Sequence, residues 1–337
     1  MSDLDAFIRG IPKAELHMHL EGSIEPQLML DLAQRNGLKL RWDTAAALRA
    51  AYQFTNLQSF LDLYFEGCRV LIHEQDFYDV TAAYLDRAHQ DGVTRAEIFF
   101  GPQSFTERGV GIATMMNGIL RAIDDGARKH RISAALLVSA HRHRSEADAL
   151  ALLEQIVPWR DRVVGIGMGG AEVGNPPSKF ENFFRACRDR GFRTTIHAGE
   201  EGPATYVRQA LELGVDRIDH GISCLGDPDL VRDLAERKIP LTVCPLSNFR
   251  LKVVPSLAQH PLKALMDAGV HVTVNSDDPP YFDGYVSENL IACQRALDLS
   301  RDDIVTLARN SFKAAFISPD EVAGALAAID AYVANFR

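Results

Sequence analysis

His17 and His19 in 15-ELHMHL-20 are separated by a single residue. In an extended segment that spacing places two imidazoles on one face, because side chains along a strand alternate. Two imidazoles converging from one strand are half of a metal site, and a hydrogen-bonded pair of buried histidines is the other reading of an isolated HxH. The motif is not isolated. The segment 195-TIHAGE-200 supplies His197 and Glu200, 218-IDHG-221 supplies His220, and 271-HVTVNSDDPPYF-282 supplies Asp277 and Asp278. Imidazole nitrogens with one carboxylate and an open position suit catalytic zinc, which brings the pKa of a bound water near neutrality. Such a site also needs an acid or base that is not a ligand. Glu200 stands three residues past His197, between Gly199 and Gly202, whose backbones turn freely.

These residues meet only if the fold brings their segments to one rim. Eight runs read as strands: 15–20, 94–100, 132–140, 163–168, 193–198, 217–221, 240–244 and 271–275. Between them lie helix-type stretches such as FYDVTAAYLDRAHQ, GIATMMNGILRAIDDGARKH and DPDLVRDLAERK, with start and stop signals at their ends. Strands alternating with helices eight times predict a (β/α)8 barrel, one α/β domain over 1–337, with chemistry at the C-terminal ends of the strands. A doubly wound sheet would carry a glycine-rich phosphate turn after the first strand, and LEGSIEP is not one. The stretch 24–92 is too long for one crossover and predicts extra helices capping the mouth. In the last strand, Asp277 is expected to keep the inward register of Thr273 and Asn275. Pro279 and Pro280 then stop the strand, so that Asp278 swings over the mouth.

The 337 residues are 47% hydrophobic and 24% charged, an ordinary globular composition, with a formal net charge of −9. No Lys/Arg-rich block offers the footprint of a nucleic-acid binder, and no apolar run is long enough to span a membrane. Five widely spaced cysteines without a CxxC fit a reducing cytoplasm better than a disulfide framework. The partner expected is therefore a small molecule.

PKAELHMHLEGS, TIHAGEEGP, RIDHGI, LTVCPLSN and TVNSDDPPYF, in this order over essentially the whole chain, resemble the adenosine/adenine deaminase branch of the amidohydrolase superfamily. The resemblance implies one Zn2+ held by His17, His19, His197 and Asp277. It further implies Glu200 as the group protonating the purine ring nitrogen next to carbon 6, His220 as the residue assisting the attacking water, and Asp278 as a purine-binding residue. The H-x-E and P-C-x-x-C arrangement of the cytidine-deaminase type is absent, which excludes that zinc fold but not deamination. The stretch 163-VVGIGMGGAE-172 has no lysine to bridge a second metal, in agreement with one ion. Glu21, EEGP, CPLSN and 171-AEVGNPPSKF-180 resemble the subgroup acting on the free base, which would turn adenine and water into hypoxanthine and ammonia.

The chain departs from that subgroup's pattern at Gly101 and Gly169, where acids are usual, and at Phe105, where a histidine is usual. These departures raise the expectation of a larger, more apolar pocket suited to an adenine alkylated on its amino group. The other reading is unsubstituted adenine with drift around the site. An adenosine deaminase, another amidohydrolase on the same barrel, and a purine-binding barrel without catalysis are the remaining alternatives. The last would be expected to have lost Glu200 or a ligand, and none is missing.

Overall fold

The computed structural model describes residues 3–336. Its eight strands are β1 (Lys13–His19), β2 (Val93–Phe100), β3 (Ser133–His141), β4 (Val163–Gly169), β5 (Arg193–Ala198), β6 (Arg217–His220), β7 (Leu241–Val243) and β8 (Val272–Val274). Each falls on a run expected from the sequence. Every neighbouring pair is parallel and the order is sequential, with helices between successive strands, which is the (β/α)8 arrangement. Leu16, Met18 and Leu20 are fully buried on the face of β1 away from the two histidines. The connecting helices begin where short polar side chains can cap them. Ser145 accepts from Asp148 N, Ser300 from Asp303 N, and Asp227 from Leu230 N before Pro228.

The barrel closes between β8 and β1 in a way the strand pattern does not predict. β8 ends at Val274, three residues short of Asp277, and the Asp277 backbone is left-handed at φ +64°. Side chains pull the chain out of strand register: Asn275 Oδ1 accepts from Leu16 N at 2.8 Å, and Glu15 Oε1 accepts from Ser276 N at 3.1 Å. Asp277 then pairs with β1 through its own backbone. Its N–H donates to His17 O and its carbonyl accepts from His19 N, both at 2.9 Å. Asp277 therefore reaches the interior by a left-handed turn, not as an extension of the register of Thr273 and Asn275. Aspartate is among the few residue types that tolerate that conformation.

The segment between β1 and β2 forms helices Pro26–Arg35, Ala45–Ala50, Leu57–Cys68 and Glu74–Gln90. Leu57–Cys68 caps the mouth as expected. Phe60 packs on Phe282 and Tyr281 with ring centroids 4.8 and 5.5 Å away, beside Asp278. Leu57 N, at the helix start, donates to Glu201 Oε1 at 2.9 Å. Carboxylates are favoured at helix N-termini, so this lid is tied to both loops that carry acids.

The opposite end of the barrel is filled by charge. Arg217 Nη1 donates to Glu97 Oε2 at 2.7 Å and to Ala314 O at 3.2 Å, and Nη2 donates to Leu16 O at 3.2 Å. Glu97 Oε1 accepts from Arg95 Nη2 at 2.9 Å and from Phe316 N at 2.6 Å. Among the described residues, no helix is long and apolar enough to cross a membrane.

Candidate active site

The rim of the barrel brings His17, His19, His197 and Asp277 to one point. His17 Nε2 and His19 Nε2 each lie 3.1 Å from His197 Nε2, and they lie 3.5 and 3.3 Å from Asp277 Oδ1. All four donor atoms lie within 4.8 Å of one another. Around a tetrahedral zinc with bonds of roughly 2.0–2.1 Å, ligand atoms stand about 3.3 Å apart. The donor set and its spacing therefore fit zinc. The outer nitrogens are held as metal-bound imidazoles usually are. His17 Nδ1 meets Thr242 Oγ1 at 3.0 Å, and His197 Nδ1 faces Asp219 Oδ2 at 3.3 Å. Asp219 is itself fixed by Thr195 at 2.7 Å and Thr242 at 2.9 Å. Asp219 and Thr242 were not singled out from the sequence. The signal was an acid inside the strand RIDH, where an apolar residue would ordinarily sit.

Phe99 lies beneath the metal-ligand set. It is fully buried inside the barrel, and its ring stacks on His19 at 5.2 Å. Burial, reinforced by the neighbouring His197 imidazole, pushes the His17 imidazole well below its usual pKa and favours the neutral form that a metal ligand needs. Burial alone would raise the Asp277 carboxyl. The hydrogen bond from His19 and the surrounding imidazoles outweigh it, so Asp277 stays ionised.

Glu200, His220 and Asp278 ring the same cavity. His220 Nε2 lies 3.6 Å from Glu200 Oε2 and 3.9 Å from Asp277 Oδ2. Burial lowers the His220 pKa to about 4, leaving a neutral ring able to take a proton. Like Asp277, His220 has a left-handed backbone, at φ +62°. Strained residues of this kind collect at functional sites and cost about 1–3 kcal/mol each. Burial and the neighbouring Asp277 charge push both Glu200 and Asp278 well above the usual carboxyl range.

The turn expected at Pro279 and Pro280 is present. Tyr281 N and Phe282 N both donate to Asp278 O, at 3.0 and 3.1 Å. Asp278 can lean over the mouth because Gly22 has no side chain. A Cβ there would lie 1.6 Å from Asp278 Oδ1. The glycine of HLEGS is thus part of the site, a role that a contact across 256 residues hides from the sequence (278 − 22). Gly199 takes φ +74° at the start of the Glu200 loop.

The residues expected to shape the substrate pocket divide. Gly101 and Gly169 line the cavity, together with Ser139 and His141 of β3 and with Leu57, Phe60, Leu61, Tyr64 and Phe65 of the capping helix. Neither glycine leaves simple empty space. His141 Nε2 lies 2.9 Å from where a Cβ at 101 would sit, and His197 Cε1 lies 3.3 Å from a Cβ at 169. Phe105 does not present an apolar surface to the pocket. The short helix Gln103–Thr106 turns it into the core, fully buried, stacked on Phe100 at 5.6 Å and edge-on to Phe77 at 5.2 Å. Glu21 sits one layer behind the cavity wall, where Oε1 accepts from Gly101 N at 2.7 Å. His141 was not anticipated; its position two residues after Ser139 on β3 was the available signal.

Comparison with known proteins agrees with this fold. The adenosine deaminase family model matches residues 12–332. An adenine deaminase of Rhodopseudomonas palustris is 67% identical over 336 residues, covering 99% of this chain and 98% of that protein. The crystal structure of an adenine deaminase from Arthrobacter aurescens superposes with a TM-score of 0.94 at 46% identity, covering 96% of this chain and 100% of the other. An amidohydrolase from Burkholderia ambifaria with bound Zn superposes with a TM-score of 0.92 at 28% identity, covering 100% and 95%. With its barrel, its rim of histidines and acids, and a match along nearly its whole length, the chain belongs to the adenosine deaminase family.

Proposed function

We propose that this protein hydrolyses adenine to hypoxanthine and ammonia, using one Zn2+ per chain held by His17, His19, His197 and Asp277. The observation that carries the reading is the pairing, around one cavity, of a four-donor metal site with two buried carboxyls, Glu200 and Asp278. The 67% identical adenine deaminase supports the choice of base. Zinc bound there supplies a water acidified toward neutrality. Glu200 donates its proton to the ring nitrogen next to carbon 6, so that negative charge does not build up on the ring as water adds. Neutral His220 orients that water and takes its proton, then returns it to the departing amine. Asp278 Oδ1, buried without a partner among the described residues, gives the imidazole edge of the purine a hydrogen bond. The apolar face of Leu57–Cys68 covers the ring and excludes bulk water.

Unsubstituted adenine is the substrate favoured over an N-alkylated one. Phe105 lies in the core, and His141 occupies the space at Gly101, so the departures at these positions do not combine into an enlarged apolar lobe. The five free, buried cysteines support a reducing, cytoplasmic setting. Ammonia release from zinc-loaded protein on a panel of adenine, adenosine and isopentenyladenine tests the reading, with bound zinc measured per chain. Adenine should give the highest kcat/KM. Faster turnover of either substituted purine would overturn the choice of substrate.

A further inference from the structure

Glu172 lies in the loop after β4, is buried, and does not line the cavity. Its two oxygens are committed to one short stretch of chain. Oε1 accepts from Gly199 N at 2.6 Å. Oε2 accepts from Glu200 N, Glu201 N and Gly202 N at 3.1, 2.9 and 2.8 Å. Consecutive N–H groups converging on one anion form a nest, and hydrogen bonds to an ionised acceptor are roughly twice as strong as neutral ones. The fit is close: a Cβ at Gly202 would lie 2.6 Å from Glu172 Oε1.

A guanidinium completes the arrangement. Arg142, fully buried just past β3, donates from Nη1 to His197 O at 2.5 Å, and from Nε and Nη2 to Asn175 O at 2.9 and 2.6 Å. Its Nη1 stands 3.9 Å from Glu172 Oε1. The segment 197–202 is therefore gripped by its carbonyl on one side and its N–H groups on the other, by two side chains that form one buried ion pair. Burying such a pair costs several kcal/mol per ion before its attraction is counted, far more than a loop needs merely to be satisfied. What the grip fixes is the backbone that aims the Glu200 side chain into the cavity.

We infer that Glu172, backed by Arg142, is a positioning residue that sets Glu200 for proton donation. The inference rests on the reading of Glu200 given above. Glu172 acts through Glu200 and touches neither substrate nor metal. A misplacement of roughly 1 Å at a reacting group costs on the order of 100-fold in rate.

The test uses Glu172→Gln, close in shape, whose amide group puts an N–H against backbone donors. It is measured alone and combined with Glu200→Gln, reading kcat and KM for adenine and zinc bound per chain. The expected result is full zinc, KM within about threefold of wild type and kcat down on the order of 10–100-fold. The double variant should then be no slower than Glu200→Gln alone, because residues acting as a unit are not additive. A Glu172→Gln enzyme within about threefold of wild-type kcat, a loss that multiplies in the double variant, or a loss of zinc would each overturn the inference. If Glu200→Gln itself keeps full turnover, the assignment of Glu200 falls and this inference with it. If Glu200→Gln loses turnover while Glu172→Gln does not, only this inference falls. Should Glu172→Gln not fold, Glu172→Asp keeps the charge, withdraws the carboxylate by one methylene and is judged by the same criteria.

Discussion

The bottom of the barrel and its mouth both bury charged groups, under opposite conditions. At the bottom, Glu97 is satisfied by Arg217, Arg95 and the Phe316 N–H, and Arg217 donates to Glu97, Ala314 O and Leu16 O while its Nε faces the Asp219 carboxylate at 4.0 Å. At the mouth, His220 Nε2, Asp278 Oδ1 and Glu21 Oε2 are buried and make no hydrogen bond among the described residues. Buried polar atoms are nearly always paired, and two of these three, on His220 and Asp278, face the cavity, where a bound substrate would pair them. The same interior is closed with charge at one end and left chemically open at the other. In a (β/α)8 barrel that division separates stability from function.

The sharpest way to break the comparison is at the mouth, within one pair of neighbours. Asp277→Ala should abolish zinc binding and with it turnover. Asp278→Ala should keep zinc and lose activity by on the order of 10²–10⁴-fold. Metal analysis alongside ammonia release separates the two, and equal loss of zinc from both variants would sink the division of labour. At the bottom the effect should reverse. Arg217→Met leaves Glu97 buried beside less positive charge and should cost about 3–5 kcal/mol of stability, while kcat of the folded protein stays near wild type. Denaturant unfolding and kinetics on the same sample decide it.

A third measurement uses pH. His260, behind His220 and bonded to Asn248 Oδ1 at 3.1 Å, is held by burial at a pKa of about 4, below its ordinary 6.5. Between those values the unfolded chain binds a proton that the folded chain refuses. Stability therefore rises with pH across this window and is lost on acidification, by up to ~1.4 kcal/mol per pH unit. The change in unfolding midpoint between pH 7 and pH 5 should shrink in His260→Gln. The smallest effect is expected for Gly101→Ala, where the new Cβ would press on His141 Nε2. Displacing that imidazole should raise KM for adenine severalfold, an effect of ~1 kcal/mol, and leave stability nearly unchanged. An unaltered KM would mean that His141 takes no part in holding the base.

The parts of this architecture governed by local alternation were legible in the sequence. All eight strands were, and so was the meeting of His17, His19, His197, His220 and Asp277 at one rim, because a barrel brings its strand ends together; the choice of four of them as metal ligands came from the resemblance. Features set by backbone dihedrals were not. Asp277 was expected at the end of a strand and instead stands on a left-handed turn, since the side chains that bend it there belong to a seam formed with residues about 260 positions away (275 − 16 = 259). Phe105 was misplaced because a four-residue helix rotates it inward, and nothing in FFGPQSF signals that rotation. The Glu172 clamp and the space Gly22 leaves for Asp278 are contacts between loops from different strands, which no single segment encodes.

The seam between β8 and β1 has a consequence for the order of events in making the protein. Two of the four donors proposed for zinc are on the first strand, and Asp277 is fastened to that strand by its two backbone bonds. A nascent chain that has not yet delivered residue 277 lacks both the carboxylate and the closure that holds it. On the proposed donor set, tight metal capture would therefore wait until the barrel has met its own beginning, and a loaded zinc would certify a completed ring.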